Sequence, residues 1–588
     1  MSTSIFLLWL VTIPLTIHAT TIKVDQPKGF LLDCGGSEKI EQDSLIYAPD
    51  DNYIKTGNKS EIKQDGLVPL LSSVRYFPDD VEEKFCYHLP VNKGRKMLIK
   101  TIYYYGGFDG GKEPPIFDQI IDGTKWNINT SADYAEGLSS YYEVVMVAHY
   151  KVLSICLAKN EHTTSDPFIS AIEMLYLDDS LYNSTDFGKY ALVTLARHSF
   201  GSHDTIIFPD DKFNRHWYPF LDENPVVTSH TPVTPSTFWN MPPEKVFENS
   251  VTASRGKTLV VNWPSFPLPK TYYYLALYFQ ENRTPSPFSW RVFDVLINGA
   301  KFFSNLNVTT SGVTVYSTTW PLEGETNITL IPEINSPVGP VVAAGELFQL
   351  LPLAGRTLTR DVAVMDDLRK SFNKKPQDWH GDPCLPKDKS WTGVTCSSGT
   401  NTRIISLNLT NAGIAGSLPP SISKLTALSH LWLGSNELTG QIPDLSSLIN
   451  LETLHLENNQ LQGSIPESLG HLPKLREVFL QNNHLKGSIP ESLRNKNSIN
   501  LKVSPGNEGI SVAAPELLDR GDHCEALRTD SILVASIFAN GKQSPETRKQ
   551  TIGRIPETIT VLALAFLISL STEFLIVSTT SGTRTLQK

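Results

Sequence analysis

The 588-residue chain carries only six cysteines, and no two of them stand in C-x-x-C spacing, so the common structural zinc frameworks are excluded. It has no G-x-S-x-G and no H-E-x-x-H, which removes the nucleophile elbow and the zincin helix from consideration. Gly106-x-x-x-x-Gly111-Lys112 has the frame of a phosphate loop, but Glu113 stands where a Mg²⁺-binding hydroxyl belongs. It reads as a glycine-rich loop between strands. Basic runs interleaved with aromatics are also missing. Lys and Arg number 51 against 61 Asp and Glu, a formal charge of −10, which excludes nucleic acid as a partner. Asp50-Asp51 and Asp210-Asp211 are adjacent carboxylates, whereas glycoside hydrolysis needs two facing each other across a sugar. They read as solvated turn residues or calcium ligands. The expectation is a binding protein rather than an enzyme, with no cofactor and no assigned metal ligand.

Long apolar runs occur only near the ends. Residues 1–19 read as a secretory signal peptide, with an apolar run from Ile5 to Ile17 and cleavage after Ala19, although no Lys or Arg precedes the run. Residues 559–577 are apolar over 19 positions, enough to span a bilayer as one helix, with Glu573 near one end. Lys542, Arg548, Lys549 and Arg554 precede that run and only Arg584 and Lys588 follow, against the usual charge bias. The signal peptide decides the orientation: single-pass type I, with residues 531–558 as juxtamembrane linker and 578–588 as a short cytosolic tail. A processed lipid-anchor signal is the rival reading. Export agrees with the N-x-[ST] triplets at Asn58, Asn129, Asn183, Asn282, Asn307, Asn327 and Asn408. In an oxidising compartment the cysteines pair. Cys384 and Cys396 bracket a short segment and form the first expected disulfide; among Cys34, Cys86 and Cys156 the choice is Cys86 with Cys156, both in strand-like runs.

Between the ends, one pattern returns four times. Leu431, Leu433, Asn436, Leu438, Gly440, Ile442 and Pro443 recur from Leu454 and from Val478, and a first copy starts at Leu407 with Ala412 in the Asn position. The starts lie 24, 23 and 24 residues apart, the spacing of leucine-rich repeats. Leucines alternating with other residues make a short strand, the Asn satisfies backbone groups where the chain turns, and stacked copies close a shared core. Residues 403–503 therefore form a solenoid of four repeats and a degenerate fifth, with 504–530 capping it. Its ligand surface falls between the leucines: Asn408, Trp432, His455 and Phe479 in one row, Glu457 and Gln481 in the next.

Upstream, the chain repeats itself on a larger scale. Pro49-Asp50-Asp51 recurs as Pro209-Asp210-Asp211, Phe117-Asp118 through Trp126 as Phe293-Asp294 through Phe302, and Ala171-x-Glu173 as Ala344-x-Glu346, at offsets of 160, 176 and 173. An insertion in the second copy, in the Pro/Thr-rich stretch His230–Pro243, explains the jump. Asp122-Gly123 and Asn298-Gly299 between apolar runs are hairpin turns, because those residues accept positive φ. Short Val/Ile/Tyr/Phe runs with no helical period make both copies all-β, as sandwiches or jelly rolls.

Phe30-Leu31-Leu32-Asp33-Cys34-Gly35, Arg75-Tyr76-Phe77-Pro78, Phe85-Cys86-Tyr87 and Tyr105-Gly106-Gly107-Phe108-Asp109-Gly110 resemble the malectin-like domain of plant receptor kinases. Trp379-His380-Gly381-Asp382-Pro383-Cys384 and Trp391-Thr392-Gly393-Val394-Thr395-Cys396 resemble the N-terminal cap of plant leucine-rich repeats, and the Gly-x-Ile-Pro endings are the plant-type variant. The resemblance implies a mostly β protein: malectin-like domains at 20–185 and 186–355, a repeat cap at 356–402 built on a helix over 362–372 and a disulfide, then a short plant-type solenoid and a transmembrane helix. It further implies a plasma-membrane receptor-like protein facing the cell wall, without a kinase of its own. Such a protein binds cell-wall polysaccharide or a secreted peptide and works with a receptor kinase or co-receptor. Tyr104, Tyr105, Phe108 and Asp109 combine aromatic faces with a carboxylate, a composition suited to glycans, and the resemblance points the same way. A wall–membrane tether without signalling is the alternative, and a wall-glycan enzyme a more distant one.

Overall fold

The structure is a computed structural model that describes residues 25–78, 84–230, 232–511 and 584–586. The expected signal peptide, the linker, the apolar run 559–577, Cys524 and most of 504–530 lie outside the described residues. Among the described residues no helix is long and apolar enough to cross a membrane. Of the expected cytosolic tail, Arg584–Leu586 is described, and it pairs antiparallel with Ser139–Tyr141. That pairing and a tail on the far side of a bilayer exclude each other.

The described chain divides into two units, one reaching through Val362 and including Gln377–Ile404 and Arg584–Leu586, the other holding Ala363–Pro376 and the described chain from Ile405 to Ser511. In the first unit both copies of the duplication are present as expected, but they are not separate domains. Strands Gly29–Asp33, Ala171–Tyr176, Lys96–Tyr103 and Ser139–Val147 of copy one continue into Tyr190–Phe200, Ala344–Pro352, Leu268–Phe279 and Val313–Gly324 of copy two as one sheet. The seam is Val144 opposite Val193 and Val145 opposite Leu192. Each copy then has its own four-stranded antiparallel sheet, Phe85–Pro90, Val152–Ala158, Phe117–Ile121 and Thr124–Ile128 in one, Leu259–Asn262, Asn327–Pro332, Trp290–Ile297 and Ala300–Thr309 in the other. The two sandwich cores gather around residues such as Phe77, Tyr103 and Phe168, and Trp263, Phe279 and Phe293. A third cluster, with Leu98, Val145, Leu192, Trp217, Tyr278 and Phe348, fills the junction between the copies.

The hairpins form where the turn residues place them. Asp122 and Gly123 have φ of 45° and 86°, Asn298 and Gly299 φ of 50° and 75°, the left-handed pair that matches strand twist. Cys86 and Cys156 sit directly opposite in neighbouring strands and are bonded, as are Cys384 and Cys396; Cys34 is buried and free.

One member of each acidic doublet is exposed, Asp51 and Asp210, and the other is not solvated. Asp50 is fully buried, accepting Arg75 Nε at 2.6 Å, Arg75 Nη2 at 2.7 Å and Tyr87 Oη at 2.8 Å. In copy two the buried member is Asp211, which accepts Arg215 Nε at 2.8 Å and Trp217 Nε1 at 2.9 Å. A guanidinium and a ring donor satisfy what desolvation would otherwise penalise. Among the described residues no group of three or more His, Cys, Asp or Glu side chains could hold a metal ion, and the buried carboxylates Asp50 and Asp211 are engaged by arginine and ring donors instead. The seam is ionic as well. Arg197 bridges Glu143 of copy one at 2.8 Å and Glu346 of copy two at 2.9 Å, and Glu346 also accepts Tyr182 Oη at 2.7 Å and Tyr278 Oη at 2.6 Å.

The cap is divided between the units. Its helix runs Thr359–Ser371, starting earlier than expected, and the segment after it, Phe372–Lys374, pairs with Ala415–Gly416 at the edge of the solenoid. The disulfide-bearing part belongs with the first sandwich. Lys84 Nζ donates to Asp382 O at 3.1 Å, Tyr150 Oη to Thr357 O at 2.8 Å, and Lys125 meets Asp388 at 2.7 Å.

In the second unit, Ile404–Asn408, His430–Trp432, Thr453–His455, Glu477–Phe479 and Asn500–Lys502 stack in parallel register. Leu431, Leu454 and Val478 are fully buried inside. An asparagine ladder holds the coils: Asn459 Oδ1 accepts Leu438 N at 2.9 Å, and its Nδ2 donates to Leu433 O at 2.9 Å and Leu456 O at 3.2 Å. Asn483 repeats the arrangement one coil on. The degenerate fifth repeat is a full coil, because Asn507 takes the ladder position, accepting Leu485 N at 2.9 Å and donating to Leu480 O at 2.7 Å.

Candidate functional site

The solenoid sheet turns its leucines inward and leaves the alternate residues on its open face. Trp432, His455 and Phe479, one repeat apart in register, form a continuous stack. Ring centroids of Trp432 and His455 lie 5.6 Å apart at 19°, and those of His455 and Phe479 4.4 Å apart at 16°. Lys502 Nζ closes the stack 4.2 Å above the Phe479 ring. All three rings are half-buried, so their mutual packing fixes them while each keeps some accessible surface. Asn408, opposite Trp432 at the other end, is exposed, and its Oδ1 accepts Thr410 N at 3.1 Å. Glu457 and Gln481 follow in the next row. One oxygen of each is buried without a hydrogen-bond partner among the described residues. Gly434 leaves space for that carboxylate, since a Cβ there would lie 2.5 Å from Glu457 Oε1.

The sequence reading missed a row one alternation earlier: His430, Thr453, Glu477 and Asn500. Thr453 Oγ1 faces His430 Nδ1 at 2.9 Å and accepts Trp432 Nε1 at 2.6 Å. Glu477 meets His455 Nε2 at 3.1 Å and accepts Asn500 Nδ2 at 2.8 Å. The period-two pattern contained this row, because His430 lies two residues before Trp432. The combined surface is a rigid aromatic slab with carboxylates, amides and one cation along its edges. Such a surface suits an extended peptide, with apolar side chains on the slab and main-chain amides on the polar rows.

The candidate glycan residues of copy one do not form an open platform. Tyr105 is 2% exposed, packs against Tyr134 and Phe168, and donates its hydroxyl to Asp109. Phe108 packs between Tyr76 and Phe168. Asp109 uses its carboxylate on Tyr105 Oη, Ser165 Oγ and Gly111 N. The cluster is a self-satisfied turn. Tyr104 faces elsewhere and lines a cavity, with its hydroxyl donating to Gln64. Of the sequons, Asn58, Asn129, Asn183, Asn307 and Asn408 are exposed and Asn327 half-buried. Asn282 is only 2% exposed and its Nδ2 donates to Ser250 Oγ at 3.2 Å, so the folded chain leaves a glycan no room there.

Comparison with known proteins agrees with this architecture. The malectin-like domain profile matches residues 32–350, the leucine-rich-repeat N-terminal domain profile 358–397, and a two-copy leucine-rich-repeat profile 449–495. The first covers more than half of the chain, and the chain belongs to the malectin-like domain family. Among curated relatives from Arabidopsis thaliana, a leucine-rich repeat receptor-like serine/threonine-protein kinase is 31% identical over 428 residues, covering 69% of this chain and 48% of the relative. A receptor-like protein kinase is 30% identical over 431 residues, covering 70% and 47%. The chain thus spans about half the length of the curated relatives it matches. Among solved structures, the ANX2 ectodomain from Arabidopsis thaliana aligns at 16% identity and a TM-score of 0.46, over 55% of this chain and 96% of that one. A chain from the complex of plant peptide RALF23 with FER and LLG2 aligns at 18% and 0.46, over 56% and 96%. Likeness of that degree carries no functional argument.

Proposed function

We propose that this protein is a cell-surface receptor-like protein whose ectodomain binds a secreted peptide, cell-wall carbohydrate, or both, and which signals with a kinase-bearing partner or co-receptor. In this reading it binds and does not transform its ligand, and it is held at the plasma membrane through the apolar run 559–577 as a single-pass type I protein. There the pairing of Arg584–Leu586 with Ser139–Tyr141 would be absent. The single observation that carries the peptide part is the Trp432–His455–Phe479–Lys502 stack, a pre-ordered aromatic surface flanked by unpaired oxygens of Glu457 and Gln481. The two curated relatives described above, both named as receptor-like kinases, support the receptor class. The test is binding of the purified full chain to a panel of secreted peptides, with Phe479→Ala and Trp432→Ala as variants. A peptide that binds the parent and loses about tenfold or more with each variant supports the reading, since buried aromatic anchors typically contribute at least 1.4 kcal/mol. Undiminished binding in both variants removes the solenoid face from it.

A further inference from the structure

The open face of the solenoid carries unlike charges toward its two ends. At one end Glu457 folds back over Gly434 of the preceding coil, where a Cβ would lie 2.5 Å from its Oε1 and 2.7 Å from its Cδ. Only a glycine there lets the carboxylate lie against the sheet. Glu457 is half-buried, its Oε2 is enclosed without a hydrogen-bond partner, and it has no ion pair among the described residues. It stands two residues after His455, and Gly434 two after Trp432, so the carboxylate lies one row from the Trp432–His455 pair. The other carboxylates nearby are already engaged. Glu477 meets His455 Nε2 at 3.1 Å and accepts Asn500 Nδ2 at 2.8 Å, and Glu452 pairs with Arg476 at 2.9 Å.

At the other end Lys502 is exposed, with its Nζ 4.2 Å from the Phe479 ring centroid and no ion pair among the described residues. The chain thus seats a cation of its own on one ring of the slab. Toward Trp432 no such cation is present among the described residues, and the attraction of Glu457 for one is unspent. Gln481, one coil on, adds a second acceptor, since its Oε1 also lacks a partner among the described residues.

We propose that Glu457 selects the ligand of this face: an extended peptide that places an arginine or lysine on Glu457 and an acidic side chain at Lys502. Lys502 lies two coils beyond Glu457 and three beyond Gly434. At the ~4.8 Å spacing of paired strands that is about 10–14 Å, which an extended chain covers in about three or four residues. The two charges of the ligand therefore stand that far apart, and they fix the direction in which it lies. A peptide with an acidic residue at the Trp432 end would meet like charge instead. The inference rests on the peptide half of the proposed function and names the chemistry of that peptide.

The test is selection of bead-bound random decapeptides on the full chain, followed by titration of the selected peptides in N-acetylated, C-amidated form. They are expected to carry Arg or Lys with Asp or Glu three or four positions away. Replacing that basic residue by Gln is expected to weaken binding about tenfold. Glu457→Gln, which keeps size and shape, is expected to weaken the unaltered peptide by the same factor and to erase the difference between the two peptides. Selection on Glu457→Lys is expected to favour an acidic residue at that position. Peptides that depend on Trp432 and Phe479 but carry no basic residue overturn Glu457 as the selector and leave the peptide reading in place. So do peptides whose basic residue matters equally on the parent chain and on Glu457→Gln. If no peptide is selected, or if those selected are indifferent to Trp432→Ala and Phe479→Ala, both the inference and the reading beneath it are overturned.

Discussion

Asp122 opens the tight turn between Phe117–Ile121 and Thr124–Ile128, and the structure sets it against its own charge. It is 6% exposed; Oδ1 accepts Ser154 N at 3.0 Å, while Oδ2 is buried with no hydrogen-bond partner among the described residues. Burial, with the Asp382 carboxylate adding like charge, raises its pKa to about 7 from 3.8. The folded form thus keeps a proton that the unfolded chain releases near 3.8. Stability therefore falls as pH rises from about 4 to about 7 and then levels off. About three units at 1.36 kcal/mol each set an upper bound of about 4 kcal/mol at neutral pH and above. Copy two shows the remedy, because Asn298 occupies the corresponding turn position with φ of 50° against 45° for Asp122. Asp122→Asn keeps an oxygen for Ser154 N and removes the buried charge. Thermal melting of the full chain at pH 4, 6 and 8 is expected to show the variant more stable at pH 8, with the gap closing toward pH 4. Equal melting at pH 8, or a gap independent of pH, would refute the reasoning. The effect extends beyond the turn, since Leu385 of the disulfide-bearing cap segment packs on Gly123, where a Cβ would come within 2.6 Å.

Three further outcomes are expected. Asn459→Ala strips partners from Leu438 N–H and Leu433 C=O inside the solenoid, at a cost of roughly 2–4 kcal/mol, measured as a shifted urea midpoint. Arg197→Ala leaves Glu143 and Glu346 buried and unpaired; a loss of about 3–5 kcal/mol is expected, with both copies unfolding in one transition because they share a sheet. Separate transitions would contradict the continuous sheet. In secreted protein, mass spectrometry is expected to find glycan at the exposed Asn58, Asn129, Asn183 and Asn307 and none at Asn282, whose amide is enclosed and bonded to Ser250.

Features encoded by short periods or by residue chemistry were legible in the sequence. The repeat spacing, the inward leucines, the ladder asparagines and the Trp432–His455–Phe479 row follow from alternation within a strand and from a 23–24-residue period. The Asp-Gly and Asn-Gly turns were readable because few residues tolerate positive φ. Cys86 with Cys156 was readable because cysteines in facing strands come within bonding reach. What failed were judgements of exposure. Tyr105, Phe108 and Asp109 look like a binding platform as a string of letters, yet their own neighbours saturate them. Asp50 and Asp211 look solvated until Arg75 and Arg215 are placed beside them.

By itself, the sequence determined that this is an all-β duplication followed by a leucine-rich solenoid, and which residues of that solenoid face outward. Only the tertiary structure decided that the two copies share one sheet, that Arg197 joins them, and that the disulfide-bearing cap segment belongs with the first sandwich. The physical reason is range. Alternation and turn chemistry act over a few residues, whereas burial and charge pairing depend on partners such as Glu143 and Glu346, brought together from far along the chain.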